Sequence, residues 1–136
     1  MRSIAIRDEL TDEWKKRGVK EQREYAILTA EISKATFGLT PTEYAEFKKL
    51  KRENLRDHMT DLELIFSMLG EAATTEIARN RDAHGMLPNQ VAAHDGGRVA
   101  GNARRELEKQ SGRKVITNEN YLALTQSARK AKRLKS

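Results

Sequence analysis

The run TDLELIFSMLGEAATTEIAR at residues 60–79 constrains the fold more than any other part of the chain. Thr60 with Glu63 three positions on is a capping box, in which each residue's side chain satisfies the other's backbone N–H. Leu62, Ile65, Phe66, Leu69, Ala72, Ala73 and Ile77 then recur every three or four residues, the period of one helix face. The spacing predicts a helix over 61–81, about 31 Å long at about 1.5 Å per residue, with that stripe in the core. Gly70 admits a second reading, a helix-turn-helix whose turn is the glycine. A recognition helix starting there would offer Glu71 and Glu76 to phosphates, with Arg79 and Arg81 only at its end. The apolar period also crosses Gly70 unbroken, and one glycine costs a helix only about 1 kcal/mol. A core helix is therefore expected, with a kink at Gly70 as the intermediate case.

The other punctuation is helical too. The pattern predicts seven helical segments, one very short. The first covers about 4–16, ended by Gly18, and the second about 20–36, with Tyr25, Leu28, Ile32 and Ala35 on one stripe. The third opens at Pro41 behind a second capping box, Thr40 and Glu43, and runs to about Leu50. A short piece in ENLRDHM precedes the 61–81 helix. A sixth segment runs from Pro88 to about Gln110, stopped by Gly112, and a last one lies in TNENYLALTQSARKAKRLK. Alternating strand patterns are absent apart from a short extended link, RKVIT at 113–117. The expected fold is all-α: five to six helices around a long central helix. Residues 1–120 are expected to form a single helical domain, with 121–136 as a basic C-terminal helix or tail. At 38% apolar and 34% charged residues the core is thin, and a homodimer, even an intertwined one, would cover stripes one chain leaves bare.

Charge gives the first indication of a partner. The 136-residue chain carries +6, but from Arg98 onward eleven Lys/Arg face three Glu, a surplus of eight that leaves −2 on residues 1–97. A basic end on a near-neutral body points to a polyanion. The candidate phosphate-facing residues are Arg98, Arg104, Arg105, Arg113 and Lys114, followed by Arg129, Lys130, Lys132, Arg133 and Lys135 in the tail. Such contacts are salt-dependent and carry no sequence information. Glu106 and Glu108 are positioned to pair with some of these cations instead.

The glycines of AHDGGRVAGNARRELE lack the preceding strand that a phosphate-cradling loop requires. Gly97, Ala100 and Gly101 instead fit a close approach of two helices. His58, Asp61, His84 and His94 match no metal-ligand spacing. Ser33, Ser67 and Ser127 have no nucleophile elbow, and the pair Asp57 and Asp61 suits helix ends better than acid–base work. The absence of cysteine removes disulfides, thiolate zinc sites and a cysteine nucleophile. Aromatics at 5% are too few for a base-stacking platform. No apolar run approaches the roughly 20 residues of a membrane span, and charges break up the N-terminus where a signal core would lie. These features predict a soluble cytoplasmic protein with no cofactor, metal or small-molecule substrate.

Four motifs, in order and spacing, carry a resemblance: YAILT at 25–29, GLTPTEY at 38–44, KKLKRENLRDHMTDLEL at 48–64 and GGRVAGNARRELE at 96–108. Together they resemble the C-terminal half of the DNA-damage-inducible protein D (DinD-like) family, over about residues 5–120. Members of that family normally carry an N-terminal BRO-type domain, thought to bind DNA, and this chain is expected to begin just after it. The resemblance implies a product of the bacterial damage response or of a prophage. It implies a non-enzymatic regulator that modulates recombination through the RecA filament. An oligomerisation module of a phage antirepressor-like or antitoxin-like transcription regulator is the alternative.

Overall fold

The computed structural model describes residues 2–118; the expected last helix and tail, with Arg129, Lys130, Lys132, Arg133 and Lys135, lie outside the described residues. Five helices follow in order: α1 (Arg2–Lys16), α2 (Gln22–Phe37), α3 (Pro41–Phe47), α4 (Asp61–Arg81) and α5 (Met86–Ser111), with a 3-10 turn at Leu55–His58 between α3 and α4. No strand occurs among the described residues, and RKVIT passes as irregular backbone. No helix among them is long and apolar enough to cross a membrane.

The local signals set most of the boundaries. Thr40 Oγ1 accepts from the Glu43 amide at 3.2 Å and Thr60 Oγ1 from the Glu63 amide at 3.3 Å, and both glutamates reach back to the cap amide. Gly38 and Gly112 close α2 and α5 in the left-handed conformation. Two boundaries differ from expectation. α3 stops at Phe47, because Lys49 takes φ 60° and turns the chain away before Leu50. α5 starts at Met86, two residues before Pro88, because Pro88 sits in the first turn, where its missing N–H costs no intrahelical bond.

α4 and α5 form an antiparallel hairpin turned by Asp82 (φ 51°) and Gly85 (φ 82°). α2 packs along α5, and α1 along α4. Leu10, Trp14, Val19, Leu28, Ile32 and Ala93 form one core cluster, with Trp14 stacked on Tyr25 at 6.0 Å. Phe37, Tyr44, Met59, Phe66 and Val115 form a second, which fastens the segment after α5 onto the bundle. Inside that second region Lys48 Nζ and Glu63 Oε1 pair at 2.9 Å with both side chains fully buried. Tyr44 Oη also donates to Glu63, and Lys48 Nζ to the Thr117 carbonyl at 2.9 Å.

The expected core stripe of α4 is corrected. α4 is one helix across Gly70, and Phe66 is buried, but Leu62, Ile65 and Leu69 are 46%, 50% and 36% exposed. The face turned inward is Glu63, Phe66, Gly70, Glu71, Thr74, Thr75 and Ala78. Its small side chains let α2 and α5 come close. A Cβ on Gly70 would stand 2.9 Å from Thr36 Oγ1 and 3.1 Å from Ile32 Cγ2.

Candidate nucleic-acid interface

α5 has two chemically different faces. Its inner face is Asn89, Ala92, Ala93, Gly96, Gly97, Ala100, Gly101 and Arg104. Here the backbone of α5 meets that of its neighbours. A Cβ on Gly96 would lie 2.6 Å from the Thr74 amide nitrogen of α4, and one on Gly97 2.7 Å from the Ile32 carbonyl oxygen of α2. A Cβ on Gly101 would collide with the Ala35 carbonyl oxygen. Ala100 is fully buried beside Gly70. These residues hold α5 in place and present nothing to a ligand.

The outer face carries charge. Arg98, Arg105 and Lys109 are exposed; separations of seven and four residues put them on one side of the helix. The stripe is about 16 Å long at about 1.5 Å per residue. Duplex DNA presents about nine phosphate charges over that length, both strands counted. Beyond Gly112 the chain doubles back, and exposed Arg113 and Lys114 share a shallow concavity with Arg105 and Lys109. Val115 sets their position: its side chain is buried in the core and its amide donates to Glu108 Oε2 at 2.9 Å. None of Arg98, Arg105, Lys109, Arg113 and Lys114 makes an ion pair among the described residues.

Arg104 is the correction within this group. It is 8% exposed. Its Nε donates to the Thr36 carbonyl at 2.7 Å and its Nη1 pairs with Glu108 at 2.8 Å. Spacing explains the inward turn, because Arg104 falls three and four residues after Gly101 and Ala100 on the packed face. Burial alone would push the Glu108 carboxyl up; the Val115 amide and the Arg104 charge override it and hold the carboxyl below the ordinary range.

Lys109 is an exposed cation on the same helix face that is not among the residues expected from sequence, although a count from Arg98 along that face would have found it. The histidines are dispersed. His58 is buried at the end of the 3-10 turn, His84 faces Asp82 at 3.1 Å and His94 faces Glu31 at 3.0 Å. Extended backbone at Met59 and Thr60 separates His58 from Asp61, so they share no helix face. No group of three His, Cys, Asp or Glu suited to a metal ion occurs among the described residues.

A second polar constellation had no sequence signal, since its members lie 64 and 15 residues apart. Arg7 of α1 and Arg56 of the 3-10 turn both reach the buried carboxylate of Glu71 on α4. Their Nη1 atoms stand 3.1 and 2.9 Å from the same oxygen, Oε2. Arg7 Nη2 donates to Thr29 Oγ1 at 2.8 Å, and Arg56 to Ser3 Oγ.

No protein-family model matches the chain, and comparison with curated proteins and with solved structures likewise yields no match.

Proposed function

We propose that this protein is a non-enzymatic regulator of the bacterial DNA-damage or prophage response, acting on recombination by contact with RecA or with DNA. The DinD-like order of motifs from residue 25 to residue 108 supports the biological setting. The observation that carries the contact is the outer face of α5, where Arg98, Arg105, Lys109, Arg113 and Lys114 are exposed and form no salt bridge among the described residues, Glu108 being the one carboxylate in their concavity and already paired with Arg104. Such a surface binds a polyanion by displacing counterions and reads no base.

Two measurements test this reading. RecA-driven strand exchange should change when the protein is added in stoichiometric amounts; an unchanged rate removes the recombination role. Binding to duplex DNA should weaken steeply with salt. Arg105→Gln, Lys109→Gln, Arg113→Gln and Lys114→Gln combined should reduce the log–log salt slope by about 3–4, at about 0.9 for each phosphate that is no longer neutralised. Deleting 129–136 should reduce it further. An unaltered slope in the quadruple variant would mean that this face makes no phosphate contact.

The exposed Leu62, Ile65 and Leu69 favour the alternative, an oligomerisation module of an antirepressor-like or antitoxin-like regulator. They recur three and four residues apart, which lines them up as an apolar stripe on the outer side of α4. Under this reading the chain self-associates, and Ile65→Glu with Leu69→Glu dissociates it without unfolding. A monomer by light scattering at high protein concentration would rule it out.

A further inference from the structure

The cavity beside Glu71 is a site that neither the charge pattern nor the family resemblance assigns. It encloses about 210 Å³ between α1, α2, the 3-10 turn and α4. Its floor is buried and largely apolar: Ile32, Phe37 and Met59, with Glu71 at one side. Its rim is partly exposed and includes both guanidiniums, Arg7 and Arg56. An apolar cavity of about 150 Å³ already accommodates benzene, so this one has room for an aromatic ring or a short branched chain.

Charge supplies the other half of the argument. Two guanidiniums and one carboxylate leave the trio with a net charge of +1. Glu71 Oε2 takes one N–H from each arginine, while its Oε1 is sealed from solvent and receives no hydrogen bond. Glu71 thus neutralises only half of the positive charge gathered there. Both arginine side chains remain about 30% exposed, and although Arg7 also donates to Thr29 and Arg56 to Ser3, a guanidinium carries five N–H donors, so each keeps donors for a second anion. A structural ion pair needs only one arginine; a second, brought from a different element, with an apolar cavity beneath it, is the arrangement of a head-group site. Guanidiniums favour planar carboxylates, which they grip with two parallel N–H bonds.

We infer that this cavity binds a small monocarboxylate with an apolar body, the carboxylate held at Arg7 and Arg56 and the body lodged over Ile32, Phe37 and Met59. A single negative charge balances the trio. A dianion would overbalance it beside an apolar wall, and a cation would meet the surplus of like charge.

The test is a series of equal shape and different charge on the full chain: phenylacetate, 2-phenylethanol and 2-phenylethylamine, with dissociation constants from calorimetry or chemical-shift titration. Phenylacetate should bind at least tenfold tighter than the alcohol, and the amine weakest. Equal binding of all three, or binding of none, overturns the inference. Ser67→Leu, which fills the cavity from α4 at a partly buried lining position, should abolish phenylacetate binding without lowering the thermal midpoint. Unchanged affinity in that variant would place the ligand elsewhere and equally overturn it. Arg56→Gln should reduce the preference for phenylacetate over the alcohol at least fivefold while leaving affinity for the alcohol within twofold. A preference that survives Arg56→Gln would refute the head-group assignment.

Discussion

Gly97→Ala sets two opposing effects against each other, and the geometry decides between them. Alanine is the better helix former by about 1 kcal/mol, so on propensity alone the variant should be more stable. Against that, the new Cβ would lie 2.6 Å from Ala35 Cβ, 2.7 Å from the Ile32 carbonyl oxygen and 3.2 Å from Ile32 Cα. Carbon atoms rest at about 3.5–4.0 Å, so α2 and α5 must separate by about 1 Å. Two of the three atoms met are backbone and cannot rotate away. The separation also stretches two bonds across this interface, Thr36 Oγ1 to the Gly97 carbonyl at 3.3 Å and Arg104 Nε to the Thr36 carbonyl at 2.7 Å. Overpacking costs about 1–3 kcal/mol, and a lost hydrogen bond from a charged group costs about 1.5–3 kcal/mol. After the propensity gain the net loss is about 1.5–5 kcal/mol. At roughly 4 °C per kcal/mol for a chain of this size, the midpoint should fall by roughly 6–20 °C. Thermal and urea unfolding followed by circular dichroism measure it. Gly70→Ala is the comparison: its Cβ would meet Thr36 Oγ1 at 2.9 Å and Ile32 Cγ2 at 3.1 Å, on buried β-branched side chains that are stiff in a helix but are not backbone, so it should destabilise, and by less than Gly97→Ala. Ala103→Gly, on the exposed side of α5, calibrates the propensity effect alone. A Gly97→Ala protein as stable as wild type would refute the close approach of α2 and α5.

Two further outcomes are expected. Lys48→Met should destabilise by about 3–5 kcal/mol, because it removes the buried cation 2.9 Å from the Glu63 carboxylate; adding Glu63→Gln should recover part of that loss, and denaturant unfolding of the single and double variants reads the difference. Acid should weaken the fold through Glu13 and Glu108, whose carboxyls are held below the ordinary value of 4.5, Glu13 by its hydrogen bond from Arg79 and Glu108 by the Val115 amide and Arg104 against its own burial. A depressed folded-state pKa gives stability that is complete above the unfolded value and drains away as pH falls through the folded one, so stability should be flat near neutrality and decline below about pH 4.5. Arg79→Met should shallow that decline when unfolding free energy is followed from pH 7 to pH 3.

The residues that specify local geometry were legible in the chain. Thr40, Glu43, Thr60 and Glu63 fix helix starts through hydrogen bonds that span three residues, and Gly38 and Gly112 end helices by their own conformation. That Arg98, Arg105, Arg113 and Lys114 would stand exposed could be read because cations outnumber carboxylates in that stretch. What was not legible depends on residues far apart in sequence. Nothing near Glu71 announces that Arg7 and Arg56 will converge on it, and nothing near Lys48 announces that it will be buried against Glu63 and Thr117.

The misplaced stripe of α4 has a more particular cause. The helix carries two candidate inner faces: one large and apolar, with Leu62, Ile65 and Leu69, and one small and mixed, with Gly70, Thr74 and Ala78. Hydrophobicity ranks the first higher, and a lone helix choosing a face against a flat apolar wall would bury it. α4 instead meets α5 at Gly96 and Ala100, small residues that face Thr74 and Gly70, while Gly97 and Gly101 of α5 face α2. Two faces lacking side-chain bulk bring backbones into contact, as the 2.6 Å from a Gly96 Cβ to the Thr74 nitrogen shows, and that density gains dispersion energy along the whole hairpin. A leucine facing Gly96 would force the pair apart and forfeit it. The threonines bring no unpaired hydroxyl into the interface, since Thr74 Oγ1 donates to the Gly70 carbonyl at 2.7 Å and Thr75 Oγ1 to the Glu71 carbonyl at 3.2 Å. Gly96 and Ala100 of α5 therefore favour burial of the small face of α4, and the leucines left outside follow from that choice.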